Sequence, residues 1–460
     1  MIFDFLKYCL DRKDNMSNVV ADIDWQQLYS FASKQAILGL CFDGIERLGK
    51  EYPEELRLNP IGRELLMTWM GKAQQIRRQN MKVNALAGKL FSMLREDGMR
   101  CCILKGQGNA LMYPNPYSRT PGDIDVWVNA SREDITEYAK THFEIGDDIR
   151  FHHLETTMDG VPVELHFFPC SMNNPLYNAR LQKWFKRNAD LQCSNVVSLP
   201  DGIGEIAIPT TAFNVIYQLT HLYHHFFDEG IGMRQIIDYY YVVCDFYKVY
   251  QNSSKITPSL FTIKEGSTAF PKPLFNGLYT PFGSPVSGGQ KPQGTGDVTA
   301  PPRRSEPLRS KVGGPSKVSP DCAGWDRLSI EGDNSAGSTT AVTSSASTAL
   351  DVVQKELKEL GLWKFAGGIM YIMQEVFGMP ASRLIVPPNE KYGKFVLNEV
   401  LEAGNFGRHD ARNRFGRSQL GHNLQRVYRD MRLVKFFSAE ALCEPLFRTW
   451  HFFWRLKYKK

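Results

Sequence analysis

The stretch RTPGDIDVWV, residues 119–128, decides how the chain is read. Ile124, Val126 and Val128 alternate with Asp125 and Trp127, a period of two that predicts a strand with one apolar face. The same alternation places Asp123 and Asp125 together on the other face. Two like charges that close are costly unless a cation sits between them, and a hard divalent ion such as Mg2+ takes carboxylate oxygens together with substrate phosphates. On an exposed edge strand the same Asp-x-Asp pattern needs no ion.

Working outward, CCILKG (101–106) is an apolar run of strand length that stops at Lys105-Gly106, from which a short helix starts. Backbone N–H groups at such a turn can approach a triphosphate. Gly98 ends the helix before it, and SREDITEYAKTHF (131–143) is a helix with Ser131 as its N-cap. HHLETTMDGVPVELHFF (152–168) is a hairpin turning at Asp159-Gly160. It carries a third carboxylate, Glu164, available as metal ligand or base, and His166 two residues further on the same face. Helix, strand, helix, strand, helix and hairpin in that order predict a small mixed sheet.

Around this core the pattern is helical. In residues 1–97, Val83, Leu86, Leu90, Met93 and Leu94 draw one apolar stripe at helical spacing, and helical periodicity returns over 209–251 and 350–460. Between them, 252–349 is dominated by Gly, Pro, Ser and Thr, a composition that cannot bury enough surface to offset chain entropy. The predicted fold is therefore α+β: a mixed-sheet core at 98–208, a helical N-terminal region at 1–97, a helical region in two parts, and a disordered, dispensable insertion at 252–349.

Charge is uneven. The net charge is +6, but residues 405–460 carry thirteen Lys/Arg against four Asp/Glu, leaving the rest of the chain at −3. A basic tail of this kind meets nucleic acid or phosphates, or simply forms a solvated face. Nine scattered cysteines without zinc spacing read as reduced thiols. With no basic leader and no uncharged run of about 20 residues, the expectation is a cytoplasmic protein without a membrane partner.

Taken together, strand, glycine turn, short helix, R-x-x-x-D-x-D and a later strand carboxylate resemble the DNA polymerase beta-like nucleotidyltransferase superfamily. More closely, LKGQGNALMYPNPYSRTPGDIDVWV, HHLETTMDGVPVELHFF, HLYHHFFDEGIGMRQIIDYYY and EVLEAGNFGRHD resemble the uncharacterised nucleotidyltransferase family of bacteria, over most of 20–250 and 350–460. The resemblance implies Asp123, Asp125 and Glu164 as Mg2+ ligands and catalytic carboxylates, with NTP phosphates near Gly106. It further implies two Mg2+ ions and transfer of a nucleoside monophosphate from an NTP to an acceptor, with release of pyrophosphate. Where the superfamily usually has Gly-Ser, this chain has Gly106-Gln107-Gly108, so a phosphate-holding hydroxyl is missing. The alternative is a catalytically silent relative that binds nucleotide or a partner in the same pocket.

Several residues keep two readings at this stage. Lys105 and Arg119 are phosphate partners or solvated charges at strand ends, and His166 binds acceptor or nucleotide. His221, His224 and His225 lie on one side of a helix, with zinc spacing but without the Glu of His-Glu-x-x-His. They line the pocket or hold a metal. Arg234 either pairs with Asp238 at i, i+4 or faces a phosphate.

Overall fold

The computed structural model describes residues 1–10, 15–251, 339–412 and 419–458. Five strands form one mixed sheet in the order β1-β2-β5-β4-β3: β1 Cys101–Ile103, β2 Ile124–Val128, β3 Ile145–Ile149, β4 His153–Met158 and β5 Val161–His166. β2 and β5 run parallel at the centre, and every other pairing is antiparallel. The parallel pair requires a crossover, supplied by the helix Arg132–His142 and the returning strands β3 and β4. A second, two-stranded sheet joins β6 Val196–Ser198 to β7 Glu205–Ala207.

Local chemistry explains the boundaries. The helix Arg63–Glu96 stops where Gly98 takes φ +77°, and the Met99 N–H reaches back to the Leu94 carbonyl at 2.7 Å. Ser131 Oγ accepts from the Asp134 N–H at 3.1 Å and starts Arg132–His142. Asp159 and Gly160 both have positive φ, +49° and +75°, which is the two-residue turn that matches strand twist in a hairpin. These three devices are where the sequence places them. β3, the β6/β7 pair and the helix Pro175–Ser194 are additions to the expected order.

The two faces of the sheet have different fates. On one, Ile103, Ile124, Val126, Val163, Leu165 and Leu154 pack against Val83, Leu86, Leu90 and Leu94 of the long helix and Ile135 of the crossover helix. Each fully buried branched side chain there contributes about 1.5–3 kcal/mol relative to exposure. On the other face Trp127 lies 6.1 Å from Phe213, stacked, and Phe213 stacks in turn on Trp184 at 4.5 Å. That layer brings in the helix Thr211–Asp228, buried almost all round, and with it the helical region. Among the described residues no helix is long and apolar enough to cross a membrane.

The expected insertion lies, from 252 to 338, outside the described residues. From Thr339 the chain is helical to Glu359, so the helix takes in the eleven residues 339–349 that composition assigned to the insertion. Thr, Ser and Ala there present no apolar stripe, so periodicity gave no helix signal. Up to Gln251 and from Thr340 onward the chain belongs to one compact unit.

Part of the basic tail's charge is paired internally. Arg412 pairs with Glu399 at 2.8 Å and with Asp410 at 2.7 Å, and Arg426 with Asp228 at 2.8 Å. The tail also brings a buried acid, Glu440, whose carboxylate accepts from the backbone N–H groups of Asn173 and Asn174. Burial outweighs those two bonds and raises its pKa to about 7. Because the folded value lies above the ordinary glutamate value of 4.5, Glu440 favours the fold most in its protonated form. Its contribution is complete below 4.5 and is lost as pH rises through about 7. Wild type is therefore expected to gain up to about 1.4 kcal/mol per pH unit over Glu440→Gln between those limits on acidification. Urea midpoints of both proteins at pH 5 and pH 8 check this, and a pH-independent difference would refute it.

Candidate active site

Register places the site on one face of the sheet. Asp125 in β2 stands directly opposite Glu164 in β5, and Glu164 directly opposite Glu155 in β4. One step along, Trp127, His166 and His153 form the next row. Since partners in register share a face, three carboxylates and two imidazoles converge opposite the apolar face.

The carboxylates are tied to internal cations. His166 Nε2 lies 3.0 Å from Asp125 Oδ1 and 3.1 Å from Glu164 Oε2. Lys105, at the end of β1, sets its Nζ 2.9 Å from Asp125 Oδ1 and 3.0 Å from His221 Nε2. Burial alone would lower the Lys105 pKa, but Asp125, Asp123 and Glu164 together hold it above the ordinary lysine value. For His166 burial is likewise outweighed, by hydrogen bonds to Asp125 and Glu164, and its pKa is raised to about 9. Glu164 mirrors this: burial would raise it, yet the bond to His166 and the charges of His153, His166 and Lys105 bring it down to about 2. A carboxylate so acidic is a weak base and is better suited to holding cations than to taking a proton.

Asp123 stands one residue ahead of β2, half-buried, so it meets the predicted face only at the strand's edge. Its charge acts on Lys105, Arg119 and Arg234. Among the described residues, three groups place one ligand atom each within 4.8 Å of the others: Asp125–Glu164–His166, His153–Glu155–Glu164 and His152–His153–His166. Asp123 is in none of these groups.

Gly106 has φ +54°, a conformation that a side chain rarely adopts, and its Cα faces the Asp123 carbonyl. Gly108 is required for a different reason: a Cβ there would lie 2.9 Å from Ile208 Cγ2. The helix that follows Gly106 and contains Gly108 is only Gln107–Ala110. Gln107 points inward, where its amide donates to Asn84 Oδ1, so this departure from Gly-Ser is a packing residue.

Arg119 is buried and gives both Nε and Nη2 to Asp238 at 2.8 Å each, while Tyr113 Oη donates to the same carboxylate at 2.7 Å. It is therefore not a solvated strand-end charge. Asp238 is thereby taken from Arg234, and the expected i, i+4 pair does not form. Arg234 instead donates to the Thr120 carbonyl at 3.0 Å and lies 3.9 Å from the Cβ position of Gly122, with Phe406 below its guanidinium at 5.4 Å. Burial, then the nearby Arg119 charge, lowers its pKa.

The histidine-bearing helix closes the site. His221 Nε2 meets both Lys105 Nζ and His225 Nε2 at 3.0 Å, and the His224 ring lies 5.5 Å from that of His152. Burial, above all, pushes His221, His225 and His152 well below the ordinary imidazole value. Sequence reasoning quoted HHLE but gave His152, His153 and Glu155 no role. It also missed Phe406, which sits 5.3 Å from the His225 ring.

The profile of the uncharacterised nucleotidyltransferase family matches residues 21–250, which include every strand of the site. EVLEAGNFGRHD lies beyond that match, although Asn405 packs against Gly232, where an added Cβ would come within 2.8 Å of the Asn405 Cα. No curated protein and no solved structure gives a significant match. On the strength of the profile match, the chain belongs to the uncharacterised nucleotidyltransferase family.

Proposed function

We propose that the chain is a Mg2+-dependent enzyme that moves a nucleoside monophosphate from an NTP to an acceptor and releases pyrophosphate. The observation that carries this reading is the Asp125–Glu164 pair, opposed across the parallel strands β2 and β5 beside Lys105. Carboxylate oxygens are the hard donors that Mg2+ prefers, so Asp125 and Glu164, with Asp123 at the strand edge, fit the ion. When bound, Mg2+ supplies charge neutralisation at the attacking and leaving oxygens.

The chain's own residues position and balance charge. Gly106 admits a phosphate to the backbone turn, and Lys105, held as a cation, offsets negative charge next to it. Arg234, which donates to the Thr120 carbonyl and faces the Gly122-Asp123 turn, is the better phosphate-facing arginine than Arg119. His166 keeps Asp125 and Glu164 oriented through Nε2. The acceptor oxygen bonds to the α-phosphorus as the bond to pyrophosphate breaks, and the acceptor's proton leaves to a carboxylate of the set.

The test is incubation of the full chain with α-labelled NTPs, Mg2+ and a cell extract, beside Asp123→Ala/Asp125→Ala. A labelled product that depends on Mg2+ and disappears in the double variant is expected. The same product at the same rate from the double variant would overturn the reading.

A further inference from the structure

Of the histidines behind the carboxylate row, nucleotidyl transfer uses only His166, through Nε2. His153 and His166 face each other in register across β4 and β5, and His152 stands next to them at the head of β4. Ring centroids lie 4.4 Å apart for His152 and His153, 5.1 Å for His153 and His166, and 5.6 Å for His152 and His166. One ligand atom from each of the three lies within 4.8 Å of the others.

Hydrogen bonding explains what the rings are prepared for. His166 directs Nε2 to Asp125 and Glu164, and His153 directs Nε2 to Glu155 at 3.4 Å. His166 Nδ1 is buried without a hydrogen-bond partner, while His153 Nδ1 lies 3.5 Å from Glu164 Oε2, both on rings only 2% exposed. A ring held by a carboxylate through one nitrogen is the arrangement in which histidine binds a metal through the other, because the carboxylate fixes the ring and raises ligand basicity, and the ion displaces the proton that His166 otherwise carries there.

We infer that His152, His153 and His166 form a second, imidazole-lined metal site that takes a borderline divalent ion such as Zn2+, adjacent to and distinct from the carboxylate seat. Imidazole donors favour zinc over Mg2+, which selects oxygen. Zinc–nitrogen bonds of about 2.0–2.1 Å need nitrogens roughly 3.3 Å apart, so the rings close by small side-chain rotations. Three protein ligands leave a fourth position open, as in sites that bind a water or substrate atom. The inference stands on these histidines and does not depend on the nucleotidyl-transfer reading.

The experiment is titration of the metal-stripped full chain with Zn2+ alone in competition with a chromophoric chelator. Wild type is compared with His152→Ala, His153→Gln and, as a neighbouring control, His225→Ala. One tight equivalent is expected in wild type and in His225→Ala, weakened at least about 10-fold by either of the other two changes. Thermal melts without metal establish that each variant is folded; His152→Ala, the least buried of the three, carries the result should His153→Gln melt early. Equal Zn2+ affinity in wild type and a folded His152→Ala would overturn the site, as would the absence of a tight equivalent in wild type. Weakening by Mg2+ addition alone, with the histidine variants unchanged, would instead assign the zinc to the carboxylates and overturn it too.

Discussion

Asp125→Asn is expected to lower nucleotidyl transfer roughly 10²–10³-fold, the scale associated with removing one fixed group that stabilises developing charge. Asp125 is the residue on which the site converges, with Oδ1 meeting both the Lys105 ammonium and the His166 ring. Asparagine keeps the shape but loses the charge, so it can neither balance these cations nor hold a divalent ion. A second consequence follows for His166, whose pKa of about 9 depends on Asp125 and Glu164. Losing one partner brings that value down toward the usual imidazole range, which NMR titration of the ring detects. Activity within about threefold of wild type in a folded Asp125→Asn would remove Asp125 from the catalytic set.

Asp238→Ala has the largest expected effect on stability, about 3–5 kcal/mol, because it strands the Arg119 guanidinium in the interior. Both charged groups are nearly fully buried, and Tyr113 loses its acceptor as well. Arg119→Ala should be comparably costly, since it strands the Asp238 charge in turn. Urea unfolding of both variants checks the magnitude. If Arg119 served nucleotide phosphates instead, Arg119→Ala would keep its urea midpoint and lose NTP affinity.

The two variants also mark the boundary of what the sequence could say. Hairpin chemistry was fully local: Asp159-Gly160 announced the turn, and that turn fixes the register. A two-residue loop at 159–160 makes 153 face 166 and 155 face 164, so the histidine pair and the second glutamate were implicit in HHLETTMDGVPVELHFF. Asp125 opposite Glu164 was not implicit in the same way. It rests on a parallel pairing across an intervening helix and two strands, whose offset no local signal states. The same holds for Arg119 and Asp238, joined only by tertiary packing, and for Arg234, whose helical neighbour Asp238 is captured by a residue far away in sequence.

Other differences have similarly physical origins. Alternation placed Asp123 on the side of Asp125, but the strand begins at Ile124, so Asp123 belongs to the turn beside Gly106. The basic tail was visible as composition, but composition does not report partners. Arg412 and Arg426 pair with Glu399, Asp410 and Asp228. Gln107 looked like a defect in a phosphate loop and is instead tied to Asn84, which leaves the glycines on either side to shape the turn.

The central claim, transfer of a nucleoside monophosphate, is tested most directly by where a radiolabel goes. With Mg2+, extract and NTP labelled at the α-phosphate, the acceptor should become labelled; with label at the γ-phosphate, the label should appear in pyrophosphate and never on the acceptor. Label reaching the acceptor from the γ-position, or from neither position, would contradict the account.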